Sequence, residues 1–499
     1  MRARLGALVA ALAVLALAAP VTPVASASGP PALDRAAPVS VRWQVPARAR
    51  VGTTVTTRLR LDRASDLDVR VDVLVNGRWQ LAGRSLLSGR RGVVRFTQLA
   101  GGPTRYRLSG VGRGELRTQE RTVRGTGTAP ALSTRRLSVT ARGAQVNGSS
   151  YDGTASSDGR YVAFTSLAQN LLPRPAATRR ANVYLKDTRT GAVRRVSHTR
   201  GGDAATGPST QPAISGDGRV VAFVSRAGNL VKGDRNRKPD VFVWNRSTDL
   251  VTRVGTDATA PSISDDGRFV AFTARGAGTT RVEVRDRRTG RVSRLGRGAS
   301  PSISGNGRLV VFADAGRVLL RDRTSGTTRV VAASGQHPQV SADGSTVAYE
   351  AAAGGHRQVF RHRLATGTTT LLSARDGRPG SAPSTLEALS ADGSRVLLTS
   401  EAPLTADDVD GERCESEAEC YSDRSRFDAF LALASGAVSL VSRSYRGAVS
   451  EYESHGDDLL ADGSAVVFSS HDTLVPGQTA RGTFLEVYSF SEVFLRRLR

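Results

Sequence analysis

Two polar loops are the segments of this 499-residue chain best equipped for chemistry. In the first, Asn229-Leu230-Val231-Lys232-Gly233-Asp234-Arg235-Asn236-Arg237-Lys238-Pro239-Asp240, the side chains of Asp234, Asn236 and Asp240 offer oxygens at short spacing. Hard oxygen ligands on alternate loop residues are what Ca²⁺ requires. Lys232, Arg235, Arg237 and Lys238 crowd the same loop and oppose a dication. A second reading therefore stands beside the first, in which Asx side chains cap backbone amides of a turn. The other loop, Thr405-Ala406-Asp407-Asp408-Val409-Asp410-Gly411 returning to Asp428-Ala429-Phe430, is more acidic and lacks internal cations. Asp408, Asp410 and Asp428 are the stronger Ca²⁺ candidates, and no other cofactor is implied.

The remaining reactive residue types form no catalytic pattern. The six histidines, His198, His337, His356, His362, His455 and His471, show no metal-ligand spacing such as His-x-x-x-His. No Gly-x-Ser-x-Gly nucleophile elbow occurs. Cys414 and Cys420 belong to one acidic insertion, around Glu412 to Glu419. In an exported chain they are expected to pair as a disulfide that pins the loop; a thiolate metal site would need further Cys or His ligands close by.

The elements that must position these residues are written as a repeat. Ser157-Asp158-Gly159-Arg160-Tyr161-Val162-Ala163-Phe164 returns as Gly216-Asp217-Gly218-Arg219-Val220-Val221-Ala222-Phe223 and as Asp265-Asp266-Gly267-Arg268-Phe269-Val270-Ala271-Phe272. Further copies surround Asn306-Gly307, Asp343-Gly344, Asp392-Gly393 and Asp462-Gly463. Asp-Gly and Asn-Gly tolerate the positive φ of a two-residue hairpin turn, so each phrase predicts a hairpin whose second strand is apolar. The Asp is thus expected to serve the turn rather than catalysis. The seven glycines are separated by 59, 49, 40, 37, 49 and 70 residues, near the period of about 40 to 50 expected of propeller blades. A second phrase follows in most units, as in Asn182-Val183-Tyr184-Leu185-Lys186-Asp187-Thr188-Arg189-Thr190-Gly191 and Val282-Glu283-Val284-Arg285-Asp286-Arg287-Arg288-Thr289-Gly290. It predicts another hairpin and hence four-stranded units.

The Ser-x-Asp-Gly-Arg-x-Val-Ala-Phe phrase, paired with Val-Phe-x-x-Asp-Arg-x-Thr-Gly, resembles the WD40-like PD40 repeat of TolB-type β-propellers over residues 135–499. In similar repeats the loop of the second unit carries Asp-x-Asn-x-x-x-Asp, the places held here by Asp234, Asn236 and Asp240. The resemblance implies an all-β fold of seven blades, with six or eight as alternatives, and leaves function open because propellers host binding modules and enzymes alike. His337, before Pro338, stands just ahead of a hairpin where other units carry Pro or Ala, a place expected to approach a central channel. An orphan strand at Arg135-Arg136-Leu137-Ser138-Val139 precedes the first unit and is expected to close the ring against the last. Phe484 to Tyr488 and Val493 to Leu495 also read as strands.

Upstream, Val39 to Val123 contains short alternating runs, among them Thr54 to Leu61, Val69 to Val75 and Gly92 to Phe96. About seven short strands fit a small Ig-like β-sandwich over 38–124, with Trp79 in its core, and 125–134 reads as a linker. Arg2, Arg4, the apolar run Leu5 to Ala19 and the small residues Ala25-Ser26-Ala27 read as a signal peptide over 1–27, cleaved near Ala27. The apolar run falls short of the roughly 20 residues that span a bilayer, so a secreted, monomeric protein without a transmembrane segment is expected.

The formal net charge is +25, and of the 70 Lys and Arg residues only Lys186, Lys232 and Lys238 are lysine. This bias, with abundant Ala and Gly, resembles proteins of high-GC actinobacteria. Such a charge attracts anions, yet it is spread along every unit and has no aromatic stacking platform for nucleic acid. The functional expectation is a secreted, non-catalytic scaffold that binds a protein or an anionic polymer of the cell envelope. The alternative is a carbohydrate-active enzyme at the channel mouth, which requires His337 or His455 to share a pocket with two carboxylates.

Overall fold

The computed structural model describes residues 38–498 apart from 51–53, 76–77, 98–101, 113–115, 127–133, 174–179, 277, 406–407, 409–426, 444–452, 472–473 and 476–490. Its regular structure is almost entirely β, and no described helix is long and apolar enough to cross a membrane.

The N-terminal part is one six-stranded sheet. Its strands are Val41–Gln44, Arg48–Arg50, Thr54–Val75, Arg78–Thr97, Gly102–Gly112 and Leu116–Thr126. The runs Thr54 to Leu61 and Val69 to Val75, which read as two strands, belong to a single strand of 22 residues. A register slip between Arg60 and Ser65 lets it pass through the polar stretch. Trp43, 3% exposed, is the core tryptophan, and its Nε1 donates to Thr57 Oγ1 at 3.0 Å. Trp79 is only half-buried, with the Arg107 guanidinium 4.5 Å from its ring centre.

From Ser150 onward the chain builds four-stranded antiparallel sheets, seven among the described residues. Numbered in chain order, their first strands are Ser150–Ala155, Ser209–Ile214, Ala258–Ile263, Ala299–Ile303, Gln336–Val340, Ser384–Leu389 and Ser454–Leu459. Each first strand packs beside the next, and that of sheet seven returns to that of sheet one. Each neighbouring pair of sheets shares an apolar cluster. Phe164 and Tyr184 meet Val467 and Val493 where sheet one joins sheet seven. A fully buried Phe such as Phe164 contributes about 2 kcal/mol through removal of apolar surface from water. Sheet seven takes its outer strand from Thr134–Arg136, which pairs with Glu492–Arg497, so the orphan strand does close the ring. Residues 484–488, read as a strand, lie outside the described residues.

The Asp-Gly phrase folds differently from a simple two-residue turn. In sheet one the Gly159 N–H donates to Ser156 O at 2.8 Å, and Gly159 (φ 66°) is left-handed while Asp158 is not. The aspartate is held by its own bonds: Ser156 Oγ donates to Asp158 Oδ1 at 2.7 Å, and the Arg160 N–H to the same oxygen at 3.0 Å. The arrangement repeats at Ser215/Asp217, Ser264/Asp266, Ser304/Asn306, Ser341/Asp343 and Ser390/Asp392. The arginine of the phrase links its two halves: Arg160 pairs with Asp187, Arg268 with Asp286 and Arg308 with Asp322.

Candidate functional site

The innermost strands share one irregularity. Pairing with the second strand slips between Tyr151 and Thr154, Thr210 and Ala213, Thr259 and Ser262, and Ala299 and Ser302. It slips again between Gln336 and Gln339, Leu386 and Ala388, and Gly456 and Asp458. Bulges of this kind re-aim a side chain. In five sheets the bulge holds a left-handed non-glycine residue: Asp152 (φ 55°), Gln211 (54°), Ala260 (52°), Ser300 (53°) and His337 (45°). Each such residue carries strain of about 1 kcal/mol or more. The position after it is Gly153, Pro212, Pro261, Pro301 or Pro338 in sheets one to five, but Glu387 and Asp457 stand at the corresponding place in sheets six and seven. Acids thus replace the small or cyclic residue on one side of the ring only.

Asp152, Gln211 and His337 are exposed although they lie on innermost strands, so the axis is open to water at this end. At the other end the turns draw together: the Ser157 N–H donates to Gly216 O, Asp265 N–H to Gly305 O, Gly305 N–H to Ala342 O and Ala391 N–H to Ala461 O. Small residues at these places let the turns converge, since a Cβ on Gly305 would meet the Asp265 carboxylate. The second-to-third strand connections, including the insertions at 167–181, 226–239 and 401–427, leave the sheets at the open end.

The open end gathers titratable groups. Asp457 has its carboxyl raised well above the ordinary range, chiefly because protein encloses it, and the charges of Asp152 and Glu387 add to the effect. The Gly153 amide and the Ser469 hydroxyl offset part of this. Its Oδ1 accepts from Ser469 Oγ at 3.2 Å, and its buried Oδ2 has no hydrogen bond of good geometry. Enclosure also raises Glu387, against hydrogen bonds from Thr385 and Thr399; Asp152, exposed at the rim, is raised too by the protein around its carboxyl, against the Gln211 amide and Thr165 hydroxyl. Asp457 is thus the acid of this group that holds its proton to higher pH than an ordinary carboxyl, beside further acids, and carboxyls whose environments set them apart can divide proton donation and acceptance between them.

His337 borders this group. Its Nδ1 is 2.9 Å from Oε2 of buried Glu350, which also faces Arg357 Nε at 3.5 Å and takes the Leu386 N–H of sheet six on Oε1 at 3.0 Å. The Glu350 hydrogen bond is the main reason that His337 is raised, and Glu387 adds to the rise. His337 thus lies within the influence of two carboxylates. His455 belongs to a different group, with the Phe427 ring 4.9 Å away and Glu453 and His471 as electrostatic neighbours.

The sequence-derived metal candidates occupy other places. Arg253 Nη1 lies 3.3 Å from Asp234 Oδ1 and 2.9 Å from Asp240 Oδ2, where a cation would sit. Asn236 Nδ2 donates to Asp240 Oδ1 at 3.0 Å, and the Asp257 N–H reaches the same oxygen at 2.8 Å. Asp428 opens its strand as Asp240 does and accepts from Ser442 Oγ, just as Asn182 accepts from Ser197 and Gln358 from Ser373. Amides at the equivalent place show that the position serves as a buried polar clasp. Asp408 is buried near Thr405. Asp410, Cys414 and Cys420 lie outside the described residues.

Sequence reading singled out His337 but missed Asp152, Glu387 and Asp457. The signal was present: each of the last two replaces the proline that precedes the turn Asp or Asn by five residues in sheets two to five.

No protein-family model matches the chain, and no curated protein does. Among solved structures it is similar to TolB from Acinetobacter baumannii, at 15% identity over 68% of this chain and 75% of that one, with a TM-score of 0.36. It is similar to the β-propeller domain of the Trilobed protease from Pyrococcus furiosus, described as having an open velcro topology, at 12% identity over 70% and 95% with a TM-score of 0.45. The structural neighbours are TolB-like and other β-propeller proteins. They include Porphyromonas gingivalis dipeptidyl peptidase 4, at 12% identity over 74% of this chain but 54% of that one, with a TM-score of 0.37. Acylaminoacyl peptidases also occur among them, and this chain spans about half of their length or less. The expectation that the protein is not an enzyme is corrected accordingly: several of the solved structures it resembles are peptidases, at low identity.

Proposed function

We propose that the chain is a secreted seven-bladed β-propeller protein that takes a protein or polymer of the cell envelope as its ligand at the open mouth of the ring axis. The observation that carries this reading is the one-sided cluster of Asp152, Glu387 and Asp457, set at the end of the sheets from which the long insertions leave. Strained backbone and mutually repelling carboxyls lower stability, and such features concentrate at functional sites. Export rests on the signal-like N-terminus; N-terminal sequencing of protein from culture medium should begin just after Ala27. The ligand reading is tested by capturing envelope fractions on the mature protein and on an Asp152→Asn/Glu387→Gln/Asp457→Asn variant. Loss of capture by a folded variant supports it; unchanged capture overturns it.

A second reading is favoured by a specific observation, the Asp457 carboxyl raised well above its ordinary range beside Asp152 and Glu387, with Glu387 also acting on His337. The same mouth would act by acid–base chemistry on an envelope polysaccharide, with one carboxyl as proton donor and another as acceptor. Its test is the appearance of new reducing ends in purified envelope polysaccharide. Release by the wild type that is lost in Asp457→Asn supports catalysis, whereas capture without release leaves binding as the function.

A further inference from the structure

We propose that the outer part of sheet three, on the face turned toward sheet two, is a docking surface for a linear polyanion that carries a phosphate or carboxylate on each repeat. The third strand of sheet three, Thr279–Asp286, pairs with its outer strand, Val292–Arg297. Val282 and Val284 pack with Val310 and Phe312 of sheet four, so the alternating residues Arg281, Glu283 and Arg285 are turned the other way, toward sheet two. Across the pairing Arg297 stands opposite Arg281, Arg294 opposite Glu283 and Val292 opposite Arg285, and directly opposed residues share a face. One face therefore presents four guanidinium groups and a single carboxylate.

That carboxylate is already shared: Arg281 Nε lies 2.9 Å and Arg294 Nε 3.4 Å from Glu283 Oε1. Arg285 and Arg297 have no ion pair and no side-chain hydrogen bond among the described residues. The acids of sheet two that could reach across are held by other cations, Asp234 and Asp240 by Arg253, Asp249 by Arg194 and Asp257 by Lys238. The face is also open. Leu250, on the outer strand Leu250–Gly255 of sheet two, and Val292 are both aimed into the space between these sheets, yet they are 42% and 37% exposed. The same face of sheet four is built otherwise: Leu319 opposes Val330, Arg321 donates to Thr328 Oγ1, and Arg317 pairs with Asp314. Like charges placed directly opposite one another cost stability, so Arg281 and Arg297 gain from an anion set between them. A guanidinium fork holds a phosphate or carboxylate through two hydrogen bonds. Arg281 and Arg285 are four residues apart, about 13 Å along the strand; a polymer reaches both, a lone anion only one, and linking the two contacts raises affinity. The net charge of +25 would draw a polyanion toward the protein, and this face, outside the ring and apart from the acids of the axis mouth, gives it a fixed seat.

The experiment titrates the mature full-length protein in a calorimeter, at physiological ionic strength, with a poly(glycerol phosphate) oligomer, an oligogalacturonate, monomeric glycerol phosphate and a single-stranded DNA oligomer. An Arg285→Gln/Arg297→Gln variant, which leaves the Glu283 pairs in place, is compared with Arg329→Gln/Arg363→Gln, which removes the same charge from exposed positions of sheets four and five. Binding of a polymer weakened about tenfold or more in the first variant, with the second within about twofold of wild type, supports the site. Monomeric glycerol phosphate should bind at least about tenfold more weakly than its polymer. Glu283→Gln should tighten binding, because the internal competitor for Arg281 and Arg294 is removed. Preference for one of the two polymers tells phosphate from carboxylate as the source. Equal losses in both double variants, weaker binding by Glu283→Gln, tightest binding of the DNA, or no binding of either polymer by the wild type overturns the proposal. Unfolding midpoints confirm that each variant is folded, and Asp457→Asn, which should leave this binding intact, separates the arginine face from the axis mouth.

Discussion

Asp458 Oδ2 accepts the Ala155 N–H at 2.7 Å and the Thr154 hydroxyl at 3.0 Å, joining sheet seven to sheet one across 303 positions of sequence. Ser262 and Ser302 make the corresponding contact elsewhere, each accepting an N–H from the next sheet at 3.1 Å. At the closure the serine is replaced by an acid, and burial pushes Asp458 up to about 6 despite its three hydrogen-bond donors. Because the folded value exceeds the ordinary 3.8, this group's contribution to stability is complete below about pH 4 and is lost as pH rises through 6. The loss is of order 2 kcal/mol if enclosure is maintained. Asp458→Asn, which keeps an acceptor, should flatten the change in unfolding midpoint between pH 4 and 7.

Asp457 should show the same sign more strongly, since two neighbouring acids add to its enclosure. Its protonated form stabilises the ring, and ionisation weakens it as pH rises. Asp457→Asn is expected to raise the unfolding midpoint at pH 8 by several degrees, with little change at pH 4, while capture of envelope material falls. Gains in stability paired with losses in function are characteristic of residues kept for activity.

The His337–Glu350 pair makes a spectroscopic prediction. A histidine held by a buried carboxylate keeps its proton to higher pH, so the His337 resonance should titrate above the ordinary 6.5. Glu350→Gln should bring it down, because the main cause of the rise is removed. An unchanged midpoint in that variant would disprove the pairing.

Ring closure depends on a strand that precedes everything it closes. Thr134–Arg136 pairs with Glu492–Arg497, and Arg136 Nη1 reaches buried Glu492 at 3.2 Å. Truncation of the mature chain at Val139 should expose the edge of Glu492–Arg497 and cause aggregation, as unpaired edges template further pairing. Truncation at Thr126 should leave a soluble ring. Size-exclusion chromatography distinguishes the two outcomes.

Much of the ring was legible in the sequence because its signals are local. The Ser-x-Asp-Gly phrase encodes a turn within six residues, and alternation encodes the strands around it. The N-terminal strands were less legible: a polar stretch between Leu61 and Val69 reads as a break, and only pairing with Arg78–Thr97 carries the strand through it. The proposed metal candidates Asp234 and Asp240 do lie near each other, and Arg253, beyond the loop and outside its pattern, holds the position between them.

The sequence by itself determined the repeated hairpins, the orphan strand and the arginine-rich charge, since each depends on residues adjacent along the chain. Only the tertiary structure decided that Asp152, Glu387 and Asp457 share one environment. Their interaction comes from closing the ring, which brings sheets six, seven and one together at the axis. There the charges of Asp152 and Glu387 add to the rise of Asp457, and no spacing along the chain records that proximity.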